Sequence, residues 1–163
     1  MSWSALSLGA NMGNRIVNLR TALRLLKLNG VKILARSDIF ETAPFGITHQ
    51  PRFLNACITI ETDLDPYSLL ALVKSIEKET GRITRKRWGP REIDIDILLM
   101  ENTVIRDPKL QIPHPGMPER AFVLKPLCQI APDMIHPLKG KSIRALWENI
   151  PERDRSMVRI GNL

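Results

Sequence analysis

The chain has 163 residues, 44% of them hydrophobic and 25% charged, a length and mix that suit one globular domain and exclude a largely disordered chain. Its uninterrupted apolar runs, such as Ile97 to Met100, fall far short of the ~20 residues a membrane-spanning helix needs, and the first ten residues lack the basic start and apolar core of a secretion signal. With 24 Lys and Arg against 17 Asp and Glu, the formal net charge is +7, which favours an anionic partner.

Trp3 to Leu8 alternates as a strand does, Gly9 and Gly13 bracket a polar turn, and from Asn14 onward Ile16, Leu19, Leu23 and Leu26 recur on one helical face. Asn29-Gly30 supplies the stop. Val31 to Glu41 reads as a second strand. After the loop from Ala43 to Pro51, Leu54, Ala56, Ile58 and Ile60 take one face of a third strand. Phe53, Asn55, Cys57 and Thr59 take the other, which is left to line a pocket. Asp65-Pro66 opens a second helix, because an N-cap carboxylate accepts backbone protons and Pro at the first helical position loses no hydrogen bond. Leu69, Leu72, Val73 and Ile76 form its buried stripe, Gly81 ends it, and an Arg-rich loop leads to a fourth strand, Ile93 to Met100.

The order βαββαβ is that of a ferredoxin-like α+β unit, an antiparallel sheet with its helices on one face. A C-terminal extension follows: a Pro-rich stretch from Pro108 to Pro118, a short helix near Glu119 to Leu127, and another after a Ser142 cap. No repeat or linker divides the chain, so residues 1–163 read as a single domain with a loosely ordered tail over 151–163. Cys57 and Cys128 each lie in an apolar stretch. They support neither a disulfide framework nor a Cys-rich zinc site, and suit a reducing cytoplasm.

The segment richest in chemistry runs from Arg85 to Leu98. Side chains alternate along a strand, so Asp94 and Asp96 project from one face while Ile93, Ile95 and Ile97 are buried on the other. Two carboxylates so placed repel unless a cation lies between them, and they suit Mg²⁺; arginines just upstream suit the phosphates such a metal bridges. An isolated D-x-D is usually a surface ion-pairing motif. Here Trp88, Gly89 and Pro90 stand between the charges, which weighs for a shaped loop. A ferredoxin-like RNA-binding module also fits the charge and strand order, but the chain lacks an aromatic RNP1 run. A metal-dependent nuclease fits D-x-D with arginines.

The run from Arg87 to Leu98 (RWGPREIDIDIL) closely resembles the signature of the 6-hydroxymethyl-7,8-dihydropterin pyrophosphokinase family, and three further segments agree with it: Ser7 to Arg15, Gln50 to Ala56, and Pro113 to Leu124. The resemblance extends from about Leu6 to about Pro132. It implies an enzyme of folate biosynthesis that transfers the β,γ-diphosphoryl group of ATP to the pterin hydroxymethyl oxygen and releases AMP. It further implies that Asp94 and Asp96 hold two Mg²⁺ ions and that Arg82 and Arg91 act with them in catalysis. On the ATP side it points to Glu77, Arg82, Trp88, Arg91, Ile97, His114 and Arg120. On the pterin side it points to Thr42, Phe45, Gly46, Phe53, Asn55, Trp88 and Phe122. Arg85 and Lys86 match no family position, and Pro115 stands where some relatives carry an aromatic. The 81–91 loop is expected to order over the phosphates with Trp88 as a lid. The expected partners are ATP and the pterin, with neither nucleic acid nor membrane, acting on a cytoplasmic monomer.

Overall fold

The structure is a computed structural model that describes residues 1–43, 49–81 and 92–163. Strand β1 (Ser2–Ala10) leads into helix α1 (Arg15–Leu28). Asn14 caps this helix by accepting the Val17 N–H at 3.1 Å. At its other end Asn29 closes the last turn and Gly30, at φ +82°, turns the chain out in the left-handed conformation that glycine adopts without strain.

Strands β2 (Lys32–Arg36) and β3 (Asp38–Thr42) both pair with β4 (Phe53–Thr62). The single strand expected over Val31 to Glu41 is therefore two, broken at Ser37. There the Ser37 N–H donates to Cys57 O at 2.9 Å, and the Cys57 N–H donates to Ser37 Oγ at 2.8 Å. A side-chain hydroxyl standing in for a carbonyl lets the chain bend without leaving a buried donor unpaired. Helix α2 (Pro66–Glu79) starts at Asp65, whose side chain accepts the Ser68 N–H at 2.9 Å. Strand β5 (Asp94–Met100) returns antiparallel to β1.

A hairpin of β6 (Ile105–Asp107) and β7 (Leu110–Ile112) follows, then α3 (Ala121–Ile130), the short pair β8 (Ile135–His136) and β9 (Lys141–Ser142), and α4 (Ile143–Glu148). The expected Ser142 cap is present, accepting the Ala145 N–H at 3.1 Å. The last strand, β10 (Val158–Asn162), pairs with β3. The 151–163 segment is thus not the loose tail expected from sequence but contributes a sheet edge, tied down where Arg159 Nε donates to Asp38 Oδ2 at 2.8 Å. Its main sheet is antiparallel, in the order β10-β3-β4-β1-β5 with β2 also beside β4.

Two cores lie on opposite faces of this sheet. Leu6, Leu8, Leu54, Ala56, Ile58, Ile60, Ile95 and Ile97 pack against Leu19, Ala22 and Leu26 of α1 and Leu69, Val73 and Ile76 of α2. Each fully buried Leu or Ile contributes about 1.5–3 kcal/mol relative to exposure. On the other face Ala5, Cys57 and Leu99 pack against Val123, Leu124 and Leu127 of α3 and Ile143 and Leu146 of α4. Helices α1 and α2 therefore share one face, and α3 and α4 of the C-terminal extension cover the other. The apolar end of the second face cannot stay in water, and the C-terminal extension folds back to cover it. Among the described residues no helix is long and apolar enough to cross a membrane.

Candidate functional site

Cross-strand neighbours share a sheet face, and the register of the central strands decides which side chains meet. Gly9 of β1 stands opposite Asn55 of β4 on one side and Asp94 of β5 on the other. One pleat along, Ser7 stands between Cys57 and Asp96. The carboxylates singled out for metal and the asparagine singled out for the pterin thus belong to adjoining rows of one face. That face is the one capped at its far end by α3.

Among the described pterin-side residues, Thr42, Phe53 and Asn55 lie together where β3 pairs with β4. Asn55 is buried, and its Nδ2 donates to Thr42 Oγ1 at 2.7 Å. With Nδ2 bonded to Thr42, the amide oxygen of Asn55 is turned toward Gly9. Phe53 lies two residues before Asn55, so its half-buried ring is on the same face. Phe122 of α3 is half-buried beside the second core, and the Arg120 guanidinium lies 5.9 Å from its ring centroid. Arg120 also packs closely over Gly116, where an added Cβ would come within 2.6 Å of Arg120 Cζ.

At the β5 end, Asp94 and Asp96 are both half-exposed while Ile93, Ile95 and Ile97 are buried, as alternation predicts. His114 Nε2 lies 4.0 Å from Asp96 Oδ2, an electrostatic rather than a hydrogen-bonding distance. His114 Nδ1 accepts the Gly116 N–H at 3.1 Å, which assigns the proton of the neutral ring to Nε2, facing the carboxylate. Burial pushes the His114 pKa below the ordinary imidazole value; the Asp96 charge pulls it up and the Arg120 charge lowers it further. Next to His114 opens a cavity of about 550 Å³ whose lining includes Arg106, Gln111, Pro115 and Lys139.

Two ATP-side candidates are placed differently from His114 and Arg120. Ile97 turns its side chain into the core under α1 and α2, away from the carboxylate face. Glu77 is buried near the end of α2, where its Oε2 accepts the Ile95 N–H at 2.9 Å and its Oε1 lies 3.6 Å from Lys74 Nζ. It therefore grips the backbone of the residue between the two aspartates. Phe45, Gly46, Arg82, Trp88 and Arg91, together with all of the lid expected over 81–91 except Gly81, lie outside the described residues.

Asp94 and Asp96 supply hard oxygen donors of the kind Mg²⁺ takes, one or two carboxylates with water and phosphate completing the shell. Among the described residues no group of three or more His, Cys, Asp or Glu side chains is placed to hold a metal ion. The two carboxylates suit an ion that shares its remaining positions with substrate.

Sequence reasoning missed a clamp behind the site. Asn11 Nδ2 donates to Gln50 Oε1 at 2.8 Å and to Pro51 O at 3.0 Å. Arg15 donates to Glu41 Oε2 at 3.0 Å and to Arg52 O at 2.9 Å. These bonds join the β1–α1 turn and the start of α1 to β3 and to the residues leading into β4. The signal was available, since Asn11, Arg15, Gln50, Pro51 and Arg52 all fall inside the resembling segments.

A family model described as 7,8-dihydro-6-hydroxymethylpterin-pyrophosphokinase matches residues 5–132. The 2-amino-4-hydroxy-6-hydroxymethyldihydropteridine pyrophosphokinase of Methylorubrum extorquens is 43% identical over 145 residues, covering 88% of this chain and 90% of that protein. The protein of the same name from Bacillus subtilis is 45% identical over 126 residues, covering 77% of this chain and 75% of its own. The folic acid synthesis protein fol1 of Pneumocystis carinii is 42% identical over 149 residues, but the chain spans only 20% of its length. Among solved structures, Plasmodium falciparum HPPK-DHPS wild type with pteroate matches with a TM-score of 0.75 at 19% identity, covering 90% of this chain and 44% of that one. At that identity the likeness speaks for the fold.

Proposed function

The chain belongs to the 7,8-dihydro-6-hydroxymethylpterin-pyrophosphokinase family, and from that premise we propose that it transfers the diphosphoryl group of ATP to the hydroxymethyl oxygen of 6-hydroxymethyl-7,8-dihydropterin, releasing AMP, as a step of folate synthesis. The observation that carries the reading is the register of β4, β1 and β5. It sets Asn55, Gly9 and Asp94 in one row, so a ring held at Asn55 extends its arm toward the carboxylates.

In this reading Asn55 and Thr42 face the hydrogen-bonding edge of the pterin, with Phe53 and Phe122 against its flat faces. Such a site needs a fixed amide, and the 2.7 Å bond to Thr42 provides one. Asp94 and Asp96 hold Mg²⁺, two ions in the full reading. When bound, the metal neutralises phosphate charge and lowers the cost of deprotonating the hydroxymethyl group. His114, its Nε2 4.0 Å from Asp96 Oδ2, stands as a polar neighbour of that carboxylate. The cavity beside His114, with Arg106 and Lys139 on its wall, suits the nucleotide. Arg82 and Arg91 carry their proposed role in neutralising the transferred phosphates, since fixed guanidinium forks match phosphate oxygens.

We read the β5-β1-β4-β3 sheet with α1 and α2 as a ferredoxin-like unit, supported by a central pair flanked by antiparallel neighbours. The proposed enzyme acts as a cytoplasmic monomer on small molecules, with neither nucleic acid nor membrane as partner. The test is product analysis of Asp94→Ala and Asp96→Ala beside the parent. With Mg²⁺, ATP and the pterin, the parent forms AMP and both variants lose it while keeping the parent's far-UV dichroism. A well-folded variant of either residue with parent-like AMP formation overturns the metal assignment, and a parent that forms none overturns the function.

A further inference from the structure

We propose that Gly9 is a specificity-determining position. Its missing side chain leaves the floor across which the pterin's hydroxymethyl arm passes from Asn55 to the metal carboxylates. The inference rests on the pterin reading given above and adds a residue to it.

A glycine inside a central strand needs a reason, since it packs nothing and weakens the strand. The usual reasons fail here. Among the described residues the glycines with positive φ are Gly13, Gly30, Gly81 and Gly140, and Gly9 is not one of them, so the backbone there is open to any residue. Nor is it crowded: a Cβ built on Gly9 would lie 3.5 Å from Asn55 Oδ1, 3.8 Å from Leu54 O and 3.8 Å from Phe53 Cδ1, all ordinary contacts. The fold would accept alanine. What remains is close approach by something outside the chain, a recognised role for strand glycine.

The surroundings identify that approach. The added methyl group would stand between the Asn55 amide oxygen and the Phe53 ring, on the face those two residues share. On the other side of Gly9 the neighbour in register is Asp94. Asn55 and Asp94 are two strand spacings apart, about 9.6 Å, which a bicyclic ring with a one-carbon arm can span. Any side chain at position 9 lifts such a flat ligand off the sheet. The amide edge and the carboxylate end could then not be satisfied together.

The experiment is calorimetric titration of 6-hydroxymethyl-7,8-dihydropterin into the parent, Gly9→Ala and Gly9→Val, each saturated with Mg²⁺ and a non-hydrolysable ATP analogue. Thermal melts and steady-state kinetics are run in parallel. Gly9→Ala should melt within a few degrees of the parent and bind the nucleotide analogue within about twofold, yet bind the pterin at least about tenfold more weakly, with Gly9→Val weaker still. In kinetics the loss should fall mainly on the pterin KM. Parent-like pterin binding by Gly9→Ala overturns the proposal, as do equal losses for both ligands or failure of Gly9→Ala to fold, since the contacts above would then not be ordinary. A parent that binds no pterin is a different result, and overturns the function together with the role of Gly9.

Discussion

Glu77→Ala should weaken the fold at the edge that carries the metal ligands, and Glu77→Gln should largely spare it. The Glu77 carboxylate is 3% exposed and Ile95 is 2% exposed, and the 2.9 Å bond between them ties the end of α2 to the last strand in the sheet order. Alanine removes the acceptor and strands a buried N–H, at a cost of about 1–3 kcal/mol. Glutamine keeps an amide oxygen able to accept the same proton, so its cost stays below about 1 kcal/mol. Lys74, whose side chain is 59% exposed, contributes little through its contact with Glu77. With a urea m-value of about 1–3 kcal/mol/M for a small domain, alanine should lower the unfolding midpoint by about 1 M and glutamine by much less. The assay is urea denaturation followed by far-UV dichroism, with hydrogen exchange of the Ile95 amide in the folded protein. Exchange should quicken in Glu77→Ala and stay near the parent's in Glu77→Gln. A Glu77→Ala midpoint equal to the parent's, or a Glu77→Gln midpoint that falls as far as alanine's, refutes the reasoning.

Other expectations follow from the same geometry. Asn55→Ala should weaken pterin binding by about 5–150-fold, the equivalent of about 1–3 kcal/mol, and leave nucleotide binding within about twofold; calorimetry with each ligand separates the two. His136 is buried, and its Nδ1 accepts the N–H groups of Leu138 at 3.2 Å and Lys139 at 3.1 Å. Burial, with Lys139 nearby, holds its folded pKa below the ordinary value of about 6.5. Its contribution to stability is therefore complete above that value, declines as pH falls toward the folded pKa, and is gone below it. Denaturant melts between pH 7.5 and 5 should show a shallower acid loss in His136→Asn than in the parent. Cys57 is fully buried and burial pushes its thiol far up, whereas Cys128 is half-exposed. A disulfide reagent should thus modify Cys128 in the native protein and reach Cys57 only on unfolding.

The strands and helices around the site were legible because local chemistry marks them: alternation over Phe53 to Ile60 and Ile93 to Met100, the helical periodicity that begins after Asn14, and the caps Asp65 and Ser142. Alternation also told which side chains share a face, so Asp94 with Asp96 and Phe53 with Asn55 were readable in advance. Which strands stand side by side, and in what register, depends on pairing between distant segments. The placement of Gly9 between Asn55 and Asp94 therefore emerged only with the fold. Ser37 sits in a run that reads as unbroken strand, and its hydroxyl matters only because Cys57 lies across from it. β10 carries few buried side chains, so its pattern looked like a tail; pairing with β3 holds it in place. That the Glu77 carboxylate reaches the backbone of another strand could not be read in advance, because nothing in one helix says so.

The central claim is that two phosphates leave ATP together. Its most direct measurement uses ATP labelled in separate batches at the α- and γ-phosphorus, incubated with the chain, Mg²⁺ and 6-hydroxymethyl-7,8-dihydropterin, and resolved chromatographically. The account predicts that the α label is recovered in AMP and the γ label in a diphosphorylated pterin, in equal amounts and only when the pterin is present. Recovery of the α label in ADP with a single labelled phosphate on the pterin, or AMP formed equally well without the pterin, would contradict it.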